Sequence, residues 1–309
     1  MRLLDTILEW PFALSWWLCA ASLLPLALTG LPAARAQDLA SMSAGQKQGN
    51  GTQNGPPEAG KNPASEKNQT GPPAVNPGRP TITDPASLTA PGWLESEFGA
   101  QKDLDRDRNL GTPLLLKLTS GNNRLEYRLA TDGYVHLGSG TNGFGDTYAA
   151  LHYLFAPQEK AGYDLAGRIT LKIPTASASL GTGKFDYNLL FLASRDFAHA
   201  KSGDVTLHGD FNVGIGSLSR QGFPGRDTQT LLSASFTFPI KGGRWQYTNE
   251  LVYQSPIYGQ RGEVTTMHGF SYALHPYDVY DFALQWQLHG DGANFQILFG
   301  RTFFFGRLF

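Results

Sequence analysis

The chain has 309 residues, 41% hydrophobic, 12% aromatic and 17% charged, with 36 glycines and a formal net charge of -1. Soluble domains carry roughly a quarter charged residues, so this chain is poor in charge, and with no basic block it offers no footing for nucleic acid or an acidic polymer. The single cysteine, Cys19, lies in the N-terminal apolar run. Once that run is removed, disulfides, Cys-ligated metals and Cys nucleophiles are excluded.

Phe12 to Leu28 is apolar apart from Ser15 and Ser22, and Ala34-Arg35-Ala36 follows shortly after. Small residues at Ala34 and Ala36 form the A-x-A pattern of a signal-peptidase site, so residues 1–36 read as an export leader cleaved after Ala36. Arg2 supplies a thin positive region, weakened by Asp5 and Glu9. The competing reading is an uncleaved membrane anchor, because the run is nearly long enough to span. No later segment approaches the roughly 18 apolar residues of a spanning helix. A mature chain that enters a membrane must therefore do so as strands.

Residues 37–91 are rich in Gly, Pro, Asn, Gln, Ser and Lys and almost lack large apolar side chains. Such a stretch buries too little surface to offset its ordering entropy, which predicts a disordered periplasmic arm.

From Trp93 onward, period-2 alternation takes over, broken by Gly, Asp, Asn and Pro. Between Asp204 and Gly216, Val205, Leu207, Phe211, Val213 and Ile215 oppose Thr206, His208, Asp210 and Asn212. Between Val279 and His289, Tyr280, Phe282, Leu284, Trp286 and Leu288 oppose Asp281, Gln285 and Gln287. Twelve segments result, at 93–101, 113–119, 123–131, 145–156, 163–174, 184–196, 204–217, 229–240, 244–255, 264–275, 278–289 and 294–305. The first three are the weakest, interrupted by Lys117, Arg124 and Arg128. Most of the segments exceed ordinary strands and fit the roughly 9–11 residues of a tilted bilayer-spanning strand. Pairs such as Tyr153 and Phe155, Phe236 and Phe238, and Trp245 and Tyr247 lie near segment ends, where interfacial girdles sit. Strands in hydrocarbon must close on themselves to satisfy their backbones. The predicted fold is all-β: a transmembrane antiparallel up-and-down barrel of about 12 strands over 92–309, behind a disordered N-terminal arm. A soluble sandwich would show the same alternation, but its wet faces would carry Lys and Glu rather than Thr, Ser, Gln, Asn and His. The terminal Phe309, closing an aromatic strand, resembles the signal read by the barrel-assembly machinery.

Short motifs narrow the resemblance. Gly143-Phe144-Gly145-Asp146 opens one strand, Leu171-Lys172-Ile173-Pro174-Thr175 ends the next, and Leu180-Gly181-Thr182-Gly183-Lys184-Phe185-Asp186 follows. Their order resembles the transporter-like outer-membrane barrels named after the meta pathway of phenol degradation, over about residues 90 to 309. Ala176 stands where that family has Gly. The resemblance implies an outer-membrane barrel and, by the family's name, passage of aromatic or other hydrophobic compounds. It carries across no ligand-binding residues. A folding explanation is favoured over a binding one for these residues: Gly143, Gly145, Gly181 and Gly183 suit positive-φ turns or bulges, Asp146 and Asp186 can bond turn backbone, and Pro174 suits a strand end.

Alternation places Arg168, Lys172, Asp186, Asn188, His208, Asp210, Asn212, Glu250 and Asp281 among the lumen-facing residues, with Arg168 and Lys172 set to meet Asp186 and Asn188. Such a belt could line a wet path or form a salt-bridged plug. No G-x-S-x-G elbow, P-loop or metal-ligand spacing occurs, so no catalytic residue, metal or cofactor is expected. The leading expectation is an outer-membrane channel for small molecules, aromatic or hydrophobic on the resemblance. Loops Asp196–Gly203, Ser217–Asp227 and Pro256–Glu263 are expected to shape its outer mouth. The alternative is a structural or anchoring barrel with a plugged lumen. A third, lipid-modifying reading would rest on His208. The expected partners are outer-membrane lipid, the assembly machinery through Phe309 and small hydrophobic solutes.

Overall fold

The computed structural model describes residues 72–105, 108–198, 205–240, 243–291 and 294–309. Among these, the strands in chain order are β1 (Trp93–Asp103), β2 (Leu110–Gly111), β3 (Leu114–Thr119), β4 (Leu125–Thr131), β5 (Tyr134–His136), β6 (Asn142–Phe144), β7 (Thr147–Ala156) and β8 (Asp164–Ile173). They continue with β9 (Asp186–Ala198), β10 (Val205–Ser219), β11 (Arg226–Pro239), β12 (Trp245–Gln254), β13 (Glu263–His275), β14 (Asp278–His289) and β15 (Phe295–Arg307). Every strand pairing between them is antiparallel. β1 pairs along its whole length with β15, from Trp93 opposite Arg307 to Asp103 opposite Gln296, which closes the wall. The short β2, β5 and β6 form a ladder on the far end of β1 rather than entering the wall, leaving a closed twelve-stranded barrel. All twelve segments expected from alternation are present, with ends displaced by only a few residues.

The wall is inside-out relative to a soluble protein. Phe98, Leu151, Leu189, Phe191, Val213 and Phe299 are exposed on its outer face, while Glu95, Lys117, Glu126, His152, Asn212 and Glu250 are buried on its inner one. That inversion is what hydrocarbon outside and a packed polar lumen inside require. It also explains the three weak segments. Lys117 and Arg128 interrupt the alternation because they project into the lumen, where Lys117 pairs with Glu95 at 2.6 Å and Arg128 with Glu126 at 2.6 Å. Aromatic pairs occupy the strand ends, with Trp93–Phe304 and Trp245–Tyr272 at the end holding the termini and Trp286–Phe295 at the other.

Strand alternation fixes which loops share an end. The connections after β3, β7, β9, β11 and β13 lie at the terminal end, and those after β1, β4, β8, β10, β12 and β14 lie at the far end. The expectation that three loops shape one mouth is therefore corrected. Ser217–Asp227 and Pro256–Glu263 belong to the far end, but Asp196–Gly203, of which residues 199–203 are outside the described residues, joins β9 to β10 at the terminal end.

The arm is also corrected in part. Residues 37–71 lie outside the described residues, but 72–91 are not a free tail: this stretch runs through the barrel lumen.

Val213 lies mid-strand on the outer face, where an arginine must sit near the bilayer centre. Val213→Arg is expected to destabilise the barrel by about 2–4 kcal/mol, measured by urea unfolding in lipid vesicles, with Val213→Leu close to neutral.

Candidate functional site: a strap inside the lumen

Residues 72–91, here called the strap, enter and leave by the same mouth. Near the entry, Val75 donates its N–H to Pro276 O in the β13–β14 turn at 2.9 Å. At the exit, Gly92 N donates to Thr119 O at 3.0 Å and Leu308 N to Gly92 O at 2.7 Å. Both anchor points lie at the terminal end, so the strap is a loop pushed inward with its apex around Arg79–Asp84. Its two limbs are tied by Asn76 Nδ2, which donates to Ser87 O at 2.9 Å.

An irregular backbone in a closed space must find partners for its N–H groups. Here the barrel wall supplies them from side chains. Glu95 Oε2 accepts from Asn76 N at 2.9 Å, Glu97 Oε1 from Gly78 N at 2.8 Å and Glu250 Oε1 from Thr83 N at 2.5 Å. Asn212 Oδ1 accepts from Asp84 N at 2.8 Å, Ser194 Oγ from Ala86 N at 2.7 Å and Glu126 Oε2 from Thr89 N at 2.7 Å. The relation is reciprocal. Buried carboxylates stay ionised only where donors or cations meet them, and the strap brings a row of donors to this wall.

Asp84 is the electrostatic centre of the apex. It ion-pairs with Arg128 at 2.9 Å and with Arg168, while Asn212 Nδ2 donates to its carbonyl at 2.9 Å. Arg79 reaches the opposite wall, 3.6 Å from Asp281, and donates to Phe299 O at 3.1 Å. Below the apex, Ala86 and Leu88 pack against the inward Leu154, Ala166, Leu190 and Leu192. Thr83, Ala86, Thr89, Lys117, Glu126, His152 and Asn212 are each 1% exposed or less, so at this level the lumen is solid protein.

The residues singled out from alternation thus divide. Arg168, Asn212, Glu250 and Asp281 touch the strap directly. Asp210 acts through Ser194, whose hydroxyl donates to it at 2.6 Å. His208 lies between Asp196 at 2.6 Å and Asp210 at 2.9 Å, so both ring nitrogens face carboxylates and neither serves as a base toward Ser194. Asn188 Oδ1 is buried without a hydrogen bond. Arg168 does not join Lys172 and the next strand, because the strap's Asp84 takes it. Sequence reasoning missed Glu95, Glu97, Lys117, Glu126 and Arg128 as a set, although their period-2 spacing within weak strands was a visible signal. It also missed the strap, whose sign is the stretch Pro80–Pro91, where Ile82 and Leu88 interrupt an otherwise featureless arm.

Lys172 and Asp186 belong to a second network toward the far end. Lys172 Nζ lies 2.5 Å from Asp186, 3.5 Å from Asp146 and 2.9 Å from Thr182 Oγ1. The three motif segments therefore meet on one ammonium group. Asp146 also accepts from Ala176 N at 2.9 Å, in the loop after β8, and Asp186 from Ser219 N at 2.7 Å, at the end of β10. Asp132, in the loop after β4, accepts from Asp146 N at 3.1 Å, and burial pushes its carboxyl above the usual range. Of the motif glycines, Gly143 and Gly183 have positive φ. Gly145 and Gly181 do not, and what they provide instead is close approach: a Cβ would come within 2.8 Å of Asp132 Oδ2 and 2.7 Å of Ala176 Cβ respectively. Among the described residues no three His, Cys, Asp or Glu side chains gather as a metal site.

No protein-family model matches the chain, and no curated protein matches it. Solved structures do. An outer-membrane channel from Pseudomonas putida F1 is 15% identical and superimposes over 75% of this chain and 100% of its own with a TM-score of 0.53. The NanC porin is 12% identical over 68% and 98% with a TM-score of 0.48, and the CymD monoaromatic hydrocarbon channel 12% identical over 71% and 90% with a TM-score of 0.42. At such identities the likeness is one of fold. The chain has the fold of an outer-membrane β-barrel, and the specific resemblance to the phenol meta-pathway barrels rests on the motifs alone.

Asp84→Ala leaves the buried Arg128 and the half-buried Arg168 without their shared carboxylate, a loss of about 3 kcal/mol in strap docking. Hydrogen exchange should speed up at Thr83, Ala86 and Thr89 and stay slow in β10 and β11. Equal acceleration in those strands would mean that the barrel, not the strap, had loosened.

Proposed function

We propose that the protein is an outer-membrane channel for small molecules whose resting lumen is closed by its own strap, residues 72–91. The observation that carries this reading is the way the strap is attached. It is held by side chains on the wall, and apart from an isolated bridge between Pro91 and Thr119 it takes no part in the sheet. The wall closes through β1 and β15 without it. Both limbs leave by one mouth, so withdrawal would open a path and break no barrel strand. Above the strap the inner faces carry Gln101, Gln285 and Gln296, with the apolar Met267, Ala283 and Leu298 packed among them. Withdrawal of the strap would also uncover the inward apolar patch of Leu154, Leu190 and Leu192, against which Ala86 and Leu88 pack.

The rest of the export reading belongs to the same proposal: a leader cleaved after Ala36, insertion in the outer membrane and delivery by the assembly machinery through Phe309. A second reading, a permanently plugged structural barrel, is favoured by the burial of the strap's apolar residues. The two differ in whether the strap moves.

Ala86→Cys with Ser194→Cys, in a Cys19→Ser background, would tie the strap to β9, since Ala86 N already lies 2.7 Å from Ser194 Oγ. Liposome swelling with small neutral and charged solutes should be abolished by the disulfide, restored by reductant and raised in Asp84→Ala. Flux that is unchanged by the disulfide, or absent in every folded variant, would favour the permanently plugged barrel.

A further inference from the structure

The place where Arg79 docks is built to a planar cation. Gly99, Gly300 and Asp281 occupy one cross-strand row at the barrel seam, Gly99 opposite Gly300 and Gly300 opposite Asp281. The guanidinium lies against the two glycines. A Cβ at Gly99 would come within 2.6 Å of Arg79 Cζ, and one at Gly300 within 2.9 Å of the same carbon and 2.7 Å of Asp281 Oδ2. Any side chain at either position would fill the slot. Phe299 O supplies an acceptor on one side, at 3.1 Å, and Asp281 a carboxylate on the other.

Arg79 itself uses this slot incompletely. Its Nε stays 3.6 Å from Asp281 Oδ2, and Asp281 Oδ1 has no hydrogen-bond partner although the residue is only 3% exposed. The reach of Arg79 is limited by its own backbone, which Gly78 and Thr83 fix to Glu97 and Glu250. A free guanidinium has no such tether and can meet both carboxylate oxygens side by side, the stronger bidentate arrangement. The surrounding wall adds a long-range preference. Five carboxylates at strap level (Glu95, Glu97, Glu126, Glu250 and Asp281) face three fixed cations, Lys117, Arg128 and Arg168, while Asp210 is paired with His208. With the strap withdrawn, Glu250 loses the Thr83 N–H and Asp281 loses Arg79, so the open lumen concentrates cations.

We propose that the Gly99–Gly300–Asp281 slot is a recognition site of the open lumen for guanidinium-bearing solutes, and that Arg79 occupies it as a built-in substitute while the channel is closed. This names the solute class for the gated channel proposed above and rests on that reading.

Arg79→Ala in the full chain vacates the slot and leaves the contacts of Thr83, Asp84, Ala86 and Thr89 in place. Isothermal titration of the refolded barrel with methylguanidinium should give saturable binding to Arg79→Ala and none to the unaltered chain. Benzoate should not bind. Adding Asp281→Asn should weaken binding by about tenfold or more, the effect of losing a charge-assisted pair. Adding Gly300→Ala, which fills the slot while the Asp281 carboxylate is retained, should abolish it. Absence of binding to folded Arg79→Ala, or binding indifferent to both added changes, would overturn the proposal. Solute flux through the same barrels separates the two ideas: binding without flux defeats the channel reading alone, and flux without binding defeats the slot alone.

Discussion

The structure turns on the need to satisfy charge inside a closed barrel. Glu95, Glu97, Glu126 and Glu250 project into the lumen within 3% of complete burial, and Lys117 and Arg128 cannot neutralise all of them. A carboxylate in that position needs donors, and the strap presents its backbone N–H groups one after another to those oxygens. The strap in turn has no ladder of its own and would be costly to bury without acceptors. Neither partner is reasonable alone, and together they form a packed lumen.

This mutual dependence is confined to one half of the barrel. Toward the far end the Lys172 clamp draws Asp146, Asp186 and Thr182 together and fixes the loops that carry the motifs. All of its members belong to the barrel's own strands or to loops that join them. At the terminal end the equivalent contacts are shared between the wall and a separate segment. The fold therefore combines a rigid far rim with a near half whose filling is detachable in principle.

The barrel was legible because hydrocarbon on one face and packed protein on the other impose the period of two on each strand, as in Val205 to Ile215. Strand number and approximate ends followed from that period together with the Gly, Asp and Pro breaks. Lys117 and Arg128 looked like interruptions of the alternation, whereas they are the cations that the lumen's carboxylates require. The strap was not legible by the same means. Its Pro, Gly, Ser and Thr content carries no periodicity, and its order comes from acceptors located far along the chain, such as Asn212 and Glu250. The pairing of Arg168 was misjudged for the same reason: strand adjacency pointed to Asp186 and Asn188, but its carboxylate arrives from Asp84. The opposed loop ends, by contrast, could have been deduced from strand parity alone.

The most direct measurement is an experimental density map of the full chain in a lipid nanodisc at neutral pH. A resting lumen closed by the strap requires continuous density for residues 72–91 inside it, with Asp84 between Arg128 and Arg168 and Thr83 against Glu250. A lumen empty at that level, with the same residues outside the barrel, would contradict it.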